Sequence, residues 1–146
     1  MRPRILLVDG HSMIFADPGR AARHARNRAA AREELVRDLT ALHDSGEWQV
    51  AVVFDGTGPK ATDAGEPAGI TVFYSAAGQS ADAIIERLAA KYAPTCEVAA
   101  ASDDRMVRTT VQSFGGAAMG CLELAAAIAR ARAAVGEKIR ALGRRR

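Results

Sequence analysis

Residues 4–12 of the chain read RILLVDGHS, and this stretch decides the fold. Four consecutive apolar residues, Ile5 to Val8, end abruptly at an aspartate and a glycine. An uninterrupted apolar run of this kind is typical of a parallel strand that is buried on both faces. In open α/β sheets, ligands bind outside the carboxyl ends of the strands, so Asp9 lies where a functional site is expected. The alternative is that Asp9 only caps the turn that follows the strand.

Length, composition and charge narrow the class of protein. The chain has 146 residues, which favours a single domain with one good core. Its net charge of +3 is a mildly basic balance, which weakly favours a polyanionic partner. The two cysteines, Cys96 and Cys121, lie in apolar surroundings and are expected as reduced thiols. No apolar run approaches the roughly 20 residues of a membrane span, and no secretory leader is recognisable, so we expect a cytoplasmic protein.

Strand-like and helix-like segments alternate along the rest of the chain, which predicts an α/β fold. Further strands are predicted at 48–54, 70–74 and 96–101, with a short fifth strand at 117–119. Helices are predicted at 29–43, 80–92, 103–114 and 121–142, whereas 11–18 and 57–69 are predicted as loops.

Carboxylates recur at the ends of these predicted elements. Asp55 follows the second strand, Asp103 follows the fourth, and Asp82 lies in the first turn of the helix at 80–92, with Glu86 one turn further on. If the sheet is parallel, right-handed crossovers place the strand ends along one edge. Clustered carboxylates repel, and a divalent cation neutralises them; Mg²⁺ and Mn²⁺ prefer such all-oxygen sites. The alternatives are an interaction with the helix dipole for Asp82 and an ion pair with a nearby lysine or arginine for Glu86.

Residues 19–32 contain five arginines, one histidine and no acid. Arginines neutralise a nucleic-acid backbone and release its counterions, so this segment is a candidate phosphate-binding arm. The alternative is a solvated helical face or a mobile loop. Neither a P-loop nor a dinucleotide-binding glycine motif follows the first strand, which disfavours nucleotide-binding enzymes of those classes.

Five segments resemble, in this order, the NYN domains of the YacP type, which are PIN-like ribonucleases. They are VDGHS at 8–12, VFDG at 53–56, TVFYS at 71–75, SADAIIERL at 80–88 and ASDD at 101–104. The resemblance runs from about residue 4 to about residue 128, and the SADAIIERL block is its most specific part. It implies a three-layer sandwich with a central, mainly parallel sheet of four to five strands flanked by helices. The NYN/PIN-like nuclease domain would span 1–128, followed by a basic helical extension and tail at 129–146.

This resemblance implies a metal-dependent endoribonuclease that hydrolyses RNA phosphodiester bonds at an acidic Mg²⁺ or Mn²⁺ site. It implies catalytic roles for Asp9, Asp82 and Asp103, which would bind metal together with Asp55 and Asp104. The remaining candidates are Ser12 and Glu86 as supporting residues, and Arg20, Arg23, Arg26 and His11 as RNA-binding residues.

One departure from the family pattern falls inside the deciding stretch. The family commonly has Asp-Gly-Tyr-Asn after its first strand, where this chain has Asp-Gly-His-Ser. The Ser12 hydroxyl offers one donor, whereas an asparagine amide offers two donors and an acceptor.

Two functions compete with the nuclease hypothesis. One is an RNA-binding module of the same fold with weak or no turnover, and the other is a structural or partner-binding protein whose acids only cap helices. The RNA partner is expected to be single-stranded or structured, with ribosome association suggested by analogy alone.

Overall fold

A computed structural model describes residues 2–56, 69–75 and 78–144 of the chain, in which strands and helices alternate. The strands are β1 (Arg4–Asp9), β2 (Gln49–Phe54), β3 (Thr71–Tyr74), β4 (Glu97–Ala101) and β5 (Ala117–Met119). The helices are α1 (Gly10–Ala16), α2 (Pro18–Arg26), α3 (Arg28–Asp44), α4 (Ala81–Tyr92), α5 (Arg105–Ser113) and α6 (Cys121–Arg144). The loop predicted at 57–69 lies outside the described residues except for its last position.

The five strands form one sheet in the order β3-β2-β1-β4-β5, and every neighbouring pair is parallel. Val8 of β1 pairs with Val52 of β2 on one side and with Ala101 of β4 on the other. The chain therefore runs outward from β1 to β3, and then returns past β1 to build β4 and β5. The carboxyl ends of β1 and β4 flank the point where the strand order reverses, which is where such sheets bind ligands.

Helices cover both faces of the sheet, and alternate side chains of β1 face opposite layers. Leu6 packs in a buried cluster with Leu39 of α3 and Leu124 of α6. Leu7, the next residue, packs in a second cluster with Ile85 of α4. Burying one such side chain contributes about 1.5–3 kcal/mol, so both layers contribute to stability. The expected three-layer α/β sandwich is confirmed.

The prediction of a loop at 11–18 is wrong, because helix α1 occupies most of it. Asp9 caps this helix, since its carboxylate accepts a hydrogen bond from the backbone N–H of Ser12 at 3.2 Å. Met13 and Ile14 are buried against the core. Two adjacent buried positions in a seven-residue helix are too few to produce a visible helical period in the sequence.

Helix α6 continues without a break past residue 128, where the sequence analysis places the end of the nuclease domain. Ile128 and Ala131 are both buried, so the helix packs on the core beyond that position. Val135 and Ile139 are exposed on the remaining turns. Neither α6 nor any other helix in the described parts of the chain is long and apolar enough to cross a membrane.

Gly10, the first residue of α1, packs directly against the end of β2. A Cβ atom at Gly10 would lie 2.5 Å from Cδ1 of Phe54 and 2.9 Å from the carbonyl oxygen of Val53. We predict that Gly10→Ala lowers the free energy of unfolding by about 1–3 kcal/mol, because backbone and ring must both shift. The matched control is Gly136→Ala in α6, where the added Cβ would lie 3.7 Å from Nη1 of Arg140.

The control should be neutral or stabilising by up to about 1 kcal/mol, since alanine favours a helix over glycine. Urea denaturation of both variants measures the two effects. Equal stability of Gly10→Ala and the parent protein would contradict the close packing of α1 on β2.

Candidate active site

Asp9, the last residue of β1, is 4% exposed and is held by hydroxyl groups from two elements. Its Oδ2 accepts hydrogen bonds from Oγ of Ser12 at 2.8 Å and from Oγ of Ser102 at 2.7 Å. Ser102 directly follows β4, so these bonds join the ends of the two strands at the reversal point of the sheet. A buried polar group needs hydrogen-bond partners of this kind to offset its loss of water. Asp9 is therefore fixed in position before any ligand binds.

Ser102 is a site residue that the sequence analysis missed. It is 0% exposed, and its Oγ accepts a hydrogen bond from the backbone N–H of Asp104 at 3.0 Å while donating to Asp9. Ser12 makes a similar link, since its Oγ lies 3.3 Å from the backbone N–H of Asp103. The sequence does carry a signal for this role, because a serine stands between a buried strand and two aspartates. A hydroxyl group that is buried at such a position needs a hydrogen-bond partner.

Asp82 lies in the first turn of α4 and faces the other carboxylates at this edge. Burial raises the pKa of Asp82 from 3.8 to about 6, assisted by the neighbouring carboxylates of Asp104, Asp9 and Asp55. We call these four residues, Asp9, Asp55, Asp82 and Asp104, the acidic cluster. Three of them lie at or just after the ends of the neighbouring parallel strands β2, β1 and β4, and the bond from the Ala81 N–H to Asp55 holds the start of α4 at the same edge.

The Asp103 carboxylate contacts a different helix. Its Oδ1 accepts a hydrogen bond from the backbone N–H of Cys121 at 2.9 Å, at the start of α6. The structure therefore brings Asp104, and not Asp103, to Asp82.

The two cysteines and Glu86 are the remaining residues singled out in the sequence. Burial and the Asp103 charge raise the pKa of the Cys121 thiol to about 12, and both Cys96 and Cys121 are free thiols. Glu86 is half-buried one turn beyond Asp82 on α4.

The capping alternative from the sequence analysis accounts for part of this arrangement. Asp9, Asp55, Asp104 and Asp103 each accept a backbone N–H at a helix start, from Ser12 (3.2 Å), Ala81 (2.9 Å), Met106 (2.9 Å) and Cys121 (2.9 Å), respectively. Asp82 differs, because Ser80 caps α4 by accepting the N–H of Ala83 at 3.2 Å. Capping therefore explains the presence of four acids at this edge but not of Asp82.

The donor chemistry of the acidic cluster fits a hard divalent cation. Within residues 2–56, 69–75 and 78–144, no group of three or more acidic, histidine or cysteine side chains forms a ready-made metal site. Mg²⁺ usually retains several waters and is bound by one or two carboxylates, so it does not require such a group. Burial and the neighbouring carboxylates disfavour the charged form of Asp82, and a bound cation would offset both effects.

The structure gives two of the predicted RNA-binding arginines a different role. Arg20 of α2 is 8% exposed and pairs with Glu34 at 3.1 Å and with Asp38, both on α3. Arg23 pairs with Glu34 at 2.7 Å, and Arg132 of α6 pairs with Asp38 at 2.7 Å. These ion pairs join α2 and α6 to α3, so Arg20 is not available to a nucleic-acid backbone. The sequence could not indicate this, because the acidic partners belong to another helix.

Arg26 and His11 remain on the surface. Arg26 is the last residue of α2. The imidazole ring of His11, on α1, lies 4.5 Å from the ring of Phe15, measured between centroids. These two predicted contacts are accessible to a large ligand.

The ion pairs of Arg20 yield a stability prediction. Arg20→Gln should lower the free energy of unfolding by about 1–3 kcal/mol, less than the loss of an isolated buried pair, because Arg23 and Arg132 still neutralise the two acids. The control is Arg26→Gln, a surface change that should alter stability by less than about 0.5 kcal/mol. Chemical denaturation distinguishes them, and equal effects would refute a structural role for Arg20.

A second prediction follows from the pKa of Asp82. In a buffer that contains EDTA at pH 7.5, Asp82→Asn should raise the free energy of unfolding, because it removes a charge that the folded protein disfavours. The expected gain is about 1 kcal/mol after allowance for solvent screening. The folded protein holds the Asp82 proton more tightly than the unfolded chain does, so the gain should be complete above about pH 6 and vanish below about pH 4. Denaturation curves across this range measure the difference. A gain that is independent of pH would contradict the charge explanation.

Comparisons with known proteins agree with this fold. The family model of the YacP-like NYN domain matches residues 6–145. Among solved structures, the chain is similar to Rae1 (YacP) from Bacillus subtilis in a mutant form, with a TM-score of 0.80 and 23% sequence identity over 95% of this chain and 82% of that one. A second structure of the same protein matches with a TM-score of 0.77 and 23% identity, over 94% of this chain and 80% of that one. No curated protein sequence matches the chain significantly.

Proposed function

Since the chain belongs to the YacP-like NYN domain family, which is a family of PIN-like ribonucleases, we propose that it is a Mg²⁺- or Mn²⁺-dependent endoribonuclease. The observation that carries this proposal is the acidic cluster at the β1–β4 junction, where Asp82 faces three other carboxylates. Neither capping nor an ion pair accounts for the cost of that arrangement. A cation that the cluster binds during catalysis does account for it.

We assign the metal-binding role to Asp9, Asp82 and Asp104, with Asp55 beside them. When bound, the metal supplies Lewis-acid stabilisation of the phosphate and lowers the pKa of an attacking water. The chain itself supplies the positioning. The two hydroxyls on Asp9 fix its carboxylate, and preorganised groups of this kind lose little freedom when the substrate binds.

Ser12 acts as a positioning residue in this proposal. Its hydroxyl hydrogen is used in the 2.8 Å bond to Asp9, and its oxygen accepts the N–H of Asp103. It therefore has no donor left for the substrate while these bonds persist. In this proposal the serine that stands in place of the family's asparagine holds Asp9 and does not contact the RNA.

A second candidate function is an RNA-binding module with weak or no turnover. The accessible Arg26 and His11 would serve this function without any metal. The two functions differ in one respect: an RNA-binding module retains RNA affinity without metal-dependent cleavage.

The test is cleavage of a fluorescently labelled RNA with Mg²⁺ or Mn²⁺, compared with the same reaction in EDTA. We predict that Asp9→Asn, Asp82→Asn and Asp104→Asn each lower the cleavage rate by more than about 100-fold, which exceeds the typical cost of losing an outer hydrogen-bond partner of a metal ligand. The matched control is Asp44→Asn, which changes an exposed aspartate at the C-terminal end of α3 and should retain full activity.

Asp103→Asn separates the two neighbouring aspartates. Its amide oxygen can still accept the N–H of Cys121, so we expect activity within about tenfold of the parent protein. Full loss of activity in Asp103→Asn with retention in Asp104→Asn would reverse the assignment. RNA binding by the parent protein without cleavage, together with no binding of Mn²⁺ in a calorimetric titration, would favour the second candidate.

A further inference from the structure

We infer that a cleft beside the acidic cluster binds one unpaired nucleobase, so that the substrate is single-stranded RNA at this position. The inference rests on the proposed function for the identity of the polymer. The cleft lies between α1, α2, α3 and the end of β2 and has a volume of about 240 Å³. We call it the aromatic cleft, and its working residues are His11, Phe15, His24, Arg28 and Arg32.

Three rings form one side of the aromatic cleft. The Phe15 ring lies 4.5 Å from the His11 ring, tilted by 36°, and 5.3 Å from the His24 ring, edge-on at 69°. Phe15 is 49% exposed, so core packing does not account for a phenylalanine at this position. Exposed aromatic faces of this kind are the platforms on which single-stranded nucleic acids stack their bases.

Two arginines at the start of α3 supply positive charge to the same cleft. Arg32 donates a hydrogen bond to the carbonyl oxygen of Asp55, and its guanidinium lies 5.1 Å from the centroid of the Phe54 ring. Arg28 lies close to Gly56. Its Nη1 atom would be 3.6 Å from a Cβ atom added to that glycine. Positive charge beside an aromatic face complements a nucleotide, which joins a flat base to an anionic phosphate.

The electrostatics of His24 agree with a stacking surface. Burial lowers the pKa of His24, and the charges of Arg32, Arg28 and His11 lower it further. The ring is therefore neutral at pH 7 and contributes an aromatic surface, while the two arginines carry the charge.

The aromatic cleft adjoins the acidic cluster through shared residues. Asp55 belongs to both: its carboxylate is turned toward the N–H of Ala81 on α4, whereas its carbonyl accepts from Arg32. His11 is the neighbour in sequence of Ser12, which contacts Asp9 directly. A base held in the cleft therefore lies beside Asp55 of the acidic cluster.

The size of the cleft limits what enters it. Its 240 Å³ is below the roughly 300–1,000 Å³ of common small-molecule pockets. A single base fits such a space, whereas a base pair held within a duplex cannot turn its face into it. The aromatic cleft thus selects unpaired RNA.

The experiment measures binding of a single-stranded RNA of about eight nucleotides, a usual site size, with one 2-aminopurine as the fluorescent base. Binding is followed in EDTA, so that no metal-dependent cleavage occurs, and the same RNA annealed to its complement is the comparison ligand. Phe15→Leu keeps an apolar side chain but removes the ring. It should weaken single-strand binding by about 5- to 100-fold, which is the usual effect of losing one stacked base, and abolish the change in 2-aminopurine fluorescence.

Matched controls isolate the cleft from general effects. Phe114→Leu changes a phenylalanine of similar exposure at the end of α5 and should leave binding unchanged. Arg28→Gln should weaken binding and lower the slope of affinity against salt by about one unit, whereas Arg37→Gln, further along the same helix, should not. If Phe15→Leu fails to fold, His11→Ala at the surface tests the same ring platform.

The outcomes separate this inference from the proposed function. Loss of binding in Phe15→Leu supports the aromatic cleft even when the parent protein cleaves no RNA. Unchanged single-strand affinity in Phe15→Leu and His11→Ala, or equal affinity of the parent protein for the duplex, overturns it, whether or not Asp82→Asn abolishes cleavage.

Discussion

The hydrogen bonds from two serine hydroxyls to Asp9 are the interaction on which the rest of this structure depends. They place a nearly buried charge at the point where the strand order of a parallel sheet reverses. Because Ser102 follows β4 and Ser12 lies in α1, the two bonds join elements that are far apart in the chain. Ser102 also accepts the N–H of Asp104, so the position of the second carboxylate depends on the first. One buried polar network thereby fixes the geometry of the whole edge.

The same edge carries an electrostatic cost that the fold offsets only in part. Four aspartates each accept a backbone N–H at a helix start, and a helix N-terminus stabilises negative charge. Asp82 lies in the first turn of α4, where the helix dipole favours its charged form, yet burial and the neighbouring carboxylates still raise its pKa. Proteins commonly retain destabilising groups of this kind where function requires them. The residue that is least explained by stability is therefore the one most informative about function.

The sequence predicts the strands and their terminal acids well, because apolar runs and the residues that end them are local features. It does not predict which of two adjacent aspartates faces α4. That choice depends on the turn after β4, where Ser102 binds the N–H of Asp104 and Asp103 turns to α6. The role of Arg20 is hidden for a similar reason, since its partners Glu34 and Asp38 are brought to it only by the packing of α2 on α3. The roles of these residues therefore depend on contacts between elements, which local sequence patterns do not show.

The arginine-rich segment divides into two parts with different consequences for binding. The arginines of α2 are largely neutralised by α3, whereas Arg28 and Arg32 lie at the edge of the sheet, next to the acidic cluster. A polyanion that approaches this edge is attracted by one region and repelled by its neighbour. A cation bound to the acidic cluster removes the repulsion, so metal and RNA should each strengthen the binding of the other by the same factor, as linkage requires. Without the cation, the repulsion keeps the phosphate away from the carboxylates while the base still reaches the aromatic cleft. In the proposed function, the juxtaposition of opposite charges would therefore separate RNA binding from RNA cleavage.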